Sequence, residues 1–157
     1  MTYDVEILEE TPRLVAATTM HTSLQRIGDD IGRGFEILMR TLGKEGISPA
    51  GPPLIVYHQV ISDVASGDVE ICVPVDRTFT GEAEVHERTL EGGTMATTVH
   101  RGPYQDISPA YETLTGWIAA HGHHITGPPR EIYLNDPQTV PPDQLLTRVE
   151  FPISETA

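Results

Sequence analysis

Two stretches of this chain run in parallel until a carboxylate separates them. Gly51-Pro52-Pro53-Leu54-Ile55-Val56-Tyr57 is echoed by Gly127-Pro128-Pro129-Arg130-Glu131-Ile132-Tyr133, and the position held by Ile55 in the first is Glu131 in the second. Both stretches read as strands, in which alternate residues share a face, so Glu131 lies beside Tyr133 and Ile55 beside Tyr57. A carboxylate among rings and aliphatic chains is costly to keep charged without donors or a cation. A flat organic cation supplies that partner, and each ring face adds about 0.5–2 kcal/mol. The same pair has acid–base potential, with Glu131 and Tyr133 as the residues that would act in an enzyme. A plainer reading stands beside both: Glu131 solvated on an edge strand and paired with Arg130 or Arg148, with Tyr57 and Tyr133 packed in the core.

Two further aromatics are candidates for the same site. Gly102-Pro103-Tyr104 has no counterpart in the first half, where Ser23-Leu24-Gln25 stands instead. A Gly-Pro turn ahead of a helix would aim Tyr104 either across a ligand or onto the helix start. Trp117, the single tryptophan, is a stacking platform or a core residue. Other constellations carry less. Cys72 lies in the apolar run Ile71-Cys72-Val73 and reads as a buried, inert thiol. His121, His123 and His124 have no further ligand at metal-binding spacing and read as an exposed turn. No Ser sits in a Gly-x-Ser-x-Gly elbow, and Gly32-Arg33-Gly34 lacks the rest of a phosphate loop. Neither a metal nor a cofactor is expected.

The elements that must position these residues come in two similar sets. Ala17-Thr18-Thr19-Met20-His21 returns as Ala96-Thr97-Thr98-Val99-His100, and Val73-Pro74-Val75 is echoed by Phe151-Pro152-Ile153. Two copies of roughly 75 residues, about 3–76 and 83–157, are too few and too long for a solenoid. Strands are expected at 5–8, 13–20, 54–60 and 69–75, and again at 84–90, 94–100, 131–134 and 145–151. Leu24, Ile27, Ile31, Phe35, Leu38 and Leu42 form the stripe of a long helix ended near Gly43 or Gly46. Ile107, Tyr111, Leu114 and Ile118 form that of a second, with Ser108 as N-cap, Pro109 in first position and Gly122 as the stop. The expected fold is α+β: a single domain of two pseudo-symmetric repeats, an antiparallel sheet with two helices on one face and a cleft on the other. Ile132, Leu134 and Val56 would lie under the helices, and Glu131, Tyr133, Ile55 and Tyr57 on the opposite face.

The bulk composition bounds the function. At 157 residues, with 13 Pro and 14 Gly, the chain suits one turn-rich domain. A net charge of −13, with 10 scattered Lys and Arg, disfavours contact with a phosphate backbone and favours solubility or cationic ligands. No apolar run approaches the roughly 18–20 residues of a membrane helix. The opening Met1-Thr2-Tyr3-Asp4-Val5-Glu6 lacks the features of a signal peptide. Cytoplasmic location without membrane association is therefore expected.

Three segments together resemble the effector-binding domain of the gyrase-inhibitor-like superfamily. They are Gly127-Pro128-Pro129-x-Glu131-x-Tyr133-Leu134-Asn135-Asp136-Pro137, His100-Arg101-Gly102-Pro103-Tyr104 before a helix, and Leu146-Thr147-x-Val149-x-Phe151-Pro152-Ile153. The resemblance covers essentially the whole chain. It implies two βαββ modules about a pseudo-twofold axis, a ligand cleft between them, and a pocket carboxylate that maps to Glu131. The superfamily includes multidrug-sensing domains of transcription regulators and free-standing proteins described as gyrase inhibitors or as hydrolases of cyclopropane-containing genotoxins. The leading expectation is a stand-alone protein that takes up hydrophobic, cationic or polarised aromatic molecules. Its lining would be Tyr57, Tyr104, Trp117, Tyr133 and Ile55 around Glu131, and it would sequester the ligand or signal to a protein partner. A hydrolase using Glu131, and an acidic inhibitor that imitates DNA, are the alternatives.

Overall fold

Runs such as Val-Glu-Ile-Cys-Val bury nearly every side chain, so a strand of this kind is covered on both faces, while Glu6–Glu10 and His86–Leu90 stay largely exposed. A computed structural model describes residues 2–82 and 84–155, with the backbone alone for Glu155. The outer positions of the second expected repeat, Ala83, Thr156 and Ala157, lie outside the described residues. In chain order the elements are β1 (Glu6–Glu10), β2 (Arg13–Thr22), α1 (Ile27–Lys44), β3 (Leu54–Tyr57), β4 (Gly67–Pro74), β5 (His86–Leu90), β6 (Gly93–Arg101), α2 (Ser108–Ala120), β7 (His123–Ile125), β8 (Arg130–Tyr133) and β9 (Leu146–Glu155). Single 3-10 turns at Tyr104–Asp106 and Pro142–Gln144 precede α2 and β9.

These elements fall into two units that do not follow the sequence repeats. A continuous unit, Pro12–Glu91, has strand order β5-β2-β4-β3, antiparallel throughout, with α1. A split unit takes the residues up to Thr11 and those from Gly92 onward, in the antiparallel order β1-β6-β9-β8 with α2. The short β7 pairs with the end of β9. Thus β1 and β5, each first in its own repeat, both belong to the unit of the other half. The class is α+β, antiparallel strands with two helices.

Each helix covers one face of its own unit. In α1 the residues Asp30, Gly34, Leu38, Thr41 and Leu42 are buried, one stripe of the helix. The backbone runs so close to β4 at Gly34 that a β-carbon there would overlap Ile71 Cδ1. Asp30 sits in the first turn, where its carboxylate accepts a bond from Thr22 Oγ1 (2.7 Å) and faces Arg33 (3.1 Å). Thr22, with Arg26 and Arg33, holds the Asp30 carboxyl below its ordinary range against the opposing push of burial. In α2 the buried triplet Ala110, Leu114 and Ile118 packs with Ala96, Val149, Phe151 and Ile153.

Several expectations need correction. Leu24 is 51 % exposed in a turn before α1, not on its stripe. Ser108 is the first residue of α2 rather than its cap; the preceding 3-10 turn leaves Ile107 near helical dihedrals as N-cap. The histidine run is not a simple turn, since His123 and His124 belong to β7. The Ala-Thr-Thr echo also slips by one residue in space. Met20 and Ile71 face α1, which puts His21 on the other face, whereas Ala96 and Thr98 align with Phe151 and Val149, so His100 faces the α2 side. A one-residue shift in a strand exchanges faces.

Candidate functional site

Glu131 lies on the helix side of its sheet, not on the opposite face. It is paired in register with Val149, a core partner of α2, and Tyr133 is paired with Thr147. Ile55 is likewise paired with Ile71 and faces α1. The other face of β8 holds Arg130 and Ile132, with Ile132 fully buried there, and Leu134 is partly exposed. A period of two had grouped the residues correctly and assigned the group to the wrong side.

The Glu131 side chain is 7 % exposed and is held by two phenols. Tyr111 of α2 donates to Oε2 at 2.5 Å, and Tyr133 donates to Oε1 at 3.0 Å. Hydrogen bonds to a carboxylate are the stronger, charge-assisted kind, and two of them offset much of the cost of burial. The Tyr111 ring meets Phe151 edge-on at 6.0 Å, and Tyr133 meets Tyr104 edge-on at 5.5 Å. Burial, Asp136 and Glu131 push the Tyr104 hydroxyl above its ordinary value, so it remains a neutral donor. Beside Tyr133, the buried Thr147 Oγ1 has no hydrogen-bond partner.

Local sequence explains this placement. Gly102 adopts φ 127°, a conformation suited to glycine, and its N–H donates to Leu145 O at 2.8 Å. His100 Nε2 bonds Pro103 O at 3.0 Å, and Tyr3 OH meets His100 Nδ1 at the same distance. The segment leading to Tyr104 is thus tied from both sides. Past β8, Asn135 donates to Gln144 O and accepts from Leu146 N–H, both at 2.9 Å, closing the loop that contains Asp136.

Of the expected lining, the structure brings Glu131, Tyr133 and Tyr104 together. Trp117 is not in that group. It lies six residues beyond Tyr111, about 240° around the helix, and its ring stacks on His121 (4.0 Å) and His123 (5.8 Å). Tyr57, half-buried opposite Val69, and Ile55, fully buried, belong to β3 of the continuous unit. The residue the sequence did not flag is Tyr111. It read as part of an apolar stripe, and the one hint was a hydroxyl in a position otherwise aliphatic.

Two further buried acids, Glu70 and Glu150, lie on the opposite faces. Glu70 of β4 contacts Arg88 and His58 (2.8 Å), with His86 at 4.0 Å. Burial and Arg88 push the His58 imidazole down, against Asp68. Glu150 of β9 faces Arg148 (3.2 Å) and Arg130 (3.9 Å). Burial and the Glu10 carboxyl raise Glu150 to about 7, against those two arginines. The plainer partners once open to Glu131 therefore reach Glu150. Among the described residues, no three His, Cys, Asp or Glu side chains converge to hold a metal ion. No described helix is long and apolar enough to cross a membrane.

Similar architecture occurs in solved structures. EcmrR in its DNA complex superposes with a TM-score of 0.89 at 21% identity, over 98% of this chain and 58% of that one. The chain therefore spans little more than half of that protein's length. The EcmrR C-terminal domain alone gives 0.83 at 21% identity, covering 99% of this chain and 100% of that one. SAV2435 bound to tetraphenylphosphonium gives 0.64 at 13% identity, over 98% and 94%. No curated protein matches the chain. Residues 3–154 match the model of the GyrI-like small molecule binding domain, and the chain belongs to that family.

Proposed function

We propose that the protein binds hydrophobic organic cations through the split unit, with Glu131 as the charge partner and Tyr133, Tyr111 and Tyr104 around it. The observation that carries this reading is a nearly buried carboxylate whose two oxygens accept from two phenols within an aromatic setting. Such a group is stable while empty and gains further from a desolvated cation. The unpartnered Thr147 Oγ1 offers a polar contact on the same face. SAV2435, a structural neighbour, was solved with a lipophilic cation, tetraphenylphosphonium. Since both oxygens of Glu131 already accept phenol protons, the arrangement favours a fixed counter-ion over a base free to activate water, and so binding over hydrolysis. The acidic balance of the chain argues that any regulatory output passes through a protein partner rather than by direct contact with DNA. We place the protein in the cytoplasm, where the lone buried Cys72 stays reduced.

The test is a calorimetric titration with tetraphenylphosphonium and with neutral triphenylphosphine oxide. Glu131→Gln should weaken the cation about 10–100-fold and the neutral analogue less than about twofold. Equal losses for both ligands would remove the carboxylate from the reading.

A further inference from the structure

The continuous unit carries three residues that the ligand site does not use. His21 of β2 and Asp68 of β4 are register partners, and His21 Nδ1 lies 2.7 Å from Asp68 Oδ1. On the other side of the same ring, Nε2 lies 3.0 Å from Ser66 Oγ. With Nδ1–H donated to the carboxylate, Nε2 is the acceptor that faces the serine hydroxyl. The acid fixes the tautomer, and the imidazole is aligned to take the proton of Oγ. We propose that Ser66, His21 and Asp68 form a second, catalytic site in which Ser66 is the nucleophile toward small activated esters.

The acid is held in place at the start of β4, and Ser66 directly precedes that strand. Between them, Gly67 lies so close to Gln59 that a β-carbon would stand 2.8 Å from Gln59 Cβ. Gln59 Oε1 accepts from Asp68 N–H at 2.9 Å, and His58 N–H donates to Asp68 O at 3.1 Å. Ser66 is itself exposed, which gives a reactant access to its hydroxyl. Pairing with β5 ends at Ala17, which leaves the rest of β2 uncovered on that side. A hollow of about 480 Å³ is lined by His21 with Thr18, Thr19, Met20, Arg33, Glu84 and His86, and so reaches the imidazole, while Ser66 and Asp68 lie on the β4 side. The His21 and Asp68 side chains are 64% and 45% exposed, so water screens the relay. Such a site suits esters whose leaving group needs little stabilisation. The arrangement is confined to one unit, since His100 faces Thr147 across its strand pair and bonds Tyr3 and Pro103.

In the step proposed, Ser66 Oγ forms a bond to the ester carbonyl carbon while its proton passes to His21 Nε2. The carbonyl–oxygen bond to the alcohol breaks, and the alcohol leaves with that proton. Water then attacks the acyl-serine, giving its proton to His21 and restoring Ser66 as the carboxylic acid departs.

The experiment treats the full chain with a fluorophosphonate and with p-nitrophenyl acetate, following intact mass, the labelled peptide and initial rates. A single adduct on Ser66 is expected, together with hydrolysis above buffer. Ser66→Ala should abolish the label and lower hydrolysis at least about tenfold; Asp68→Asn and His21→Gln should slow labelling by a similar factor. Circular dichroism confirms that each variant is folded. An unlabelled wild type overturns the proposal. So does Ser66→Ala that hydrolyses at the wild-type rate while His21→Gln does not, because the imidazole would then act alone.

Discussion

The two units share a strand order and a buried helical triplet, yet they differ at matching places. Aligned by those triplets, Asp30-Gly34-Leu38 and Ala110-Leu114-Ile118, Tyr111 corresponds to Ile31, and the strand position of Glu131 corresponds to Ile55. In one unit both positions are aliphatic, and Ile55 is sealed in the core. In the other a carboxylate and a phenol face each other at 2.5 Å. The acid and its donor differ together, as a buried polar group without a partner would cost more than the fold tolerates. The opposite faces differ as well. By register Glu70 corresponds to Arg148 and Glu150 to Cys72, so each unit places its buried acid at a different position, and Glu150 has a second acid, Glu10, beside it.

Four substitutions separate these contributions. Ile55→Glu places a carboxylate in a setting with no matching phenol at position 31, and should lower stability by about 3–5 kcal/mol in urea unfolding. A loss below about 1 kcal/mol would mean that the continuous unit accepts the acid without help. Glu131→Ile makes the split unit resemble its counterpart. It should abolish tetraphenylphosphonium binding by calorimetry, a loss of about 2–3 kcal/mol, while the fold survives.

Glu150→Gln tests the opposite face through pH. The folded state holds the proton of the Glu10–Glu150 pair up to about 7, whereas an unfolded glutamate releases it near 4.5, its ordinary value. The corresponding stability is complete below that value and fades as pH rises through 7. It amounts to about 2–3 kcal/mol, so wild type should weaken from pH 5 to pH 8 relative to Glu150→Gln. Parallel stability curves for the two proteins would sink this assignment. Tyr111→Phe is the mildest change. It removes one donor from Glu131 and should weaken cation binding about fivefold, near 1 kcal/mol, with the neutral analogue unaffected.

Strand positions, the two helices and the contrast between Glu131 and Ile55 were legible in the sequence because alternation and the repeat report them directly. The side of the sheet was not. Alternation groups Glu131 with Tyr133, but both faces of these strands are buried, so Ile132 looked equally suited to lie under the helix. Tyr111 was hidden because an aromatic at helical spacing reads as core, and only the position of Glu131 shows where its hydroxyl goes. The reverse holds for Trp117, whose rarity drew attention while its ring stacks on two histidines. Ser66, His21 and Asp68 could not be joined from sequence, since strand register alone brings positions so far apart together.

Because β1 pairs with β6, residues such as Glu6 and Thr97 become neighbours only after the whole continuous unit between them has been made. The residues of the continuous unit are all present once Glu91 has been made, while β1 must wait for β6, its partner in the split unit. Large loop closure of this kind slows folding. A nascent chain halted just past Glu91 would therefore hold every residue of one unit, with β1 still lacking the strand it pairs against.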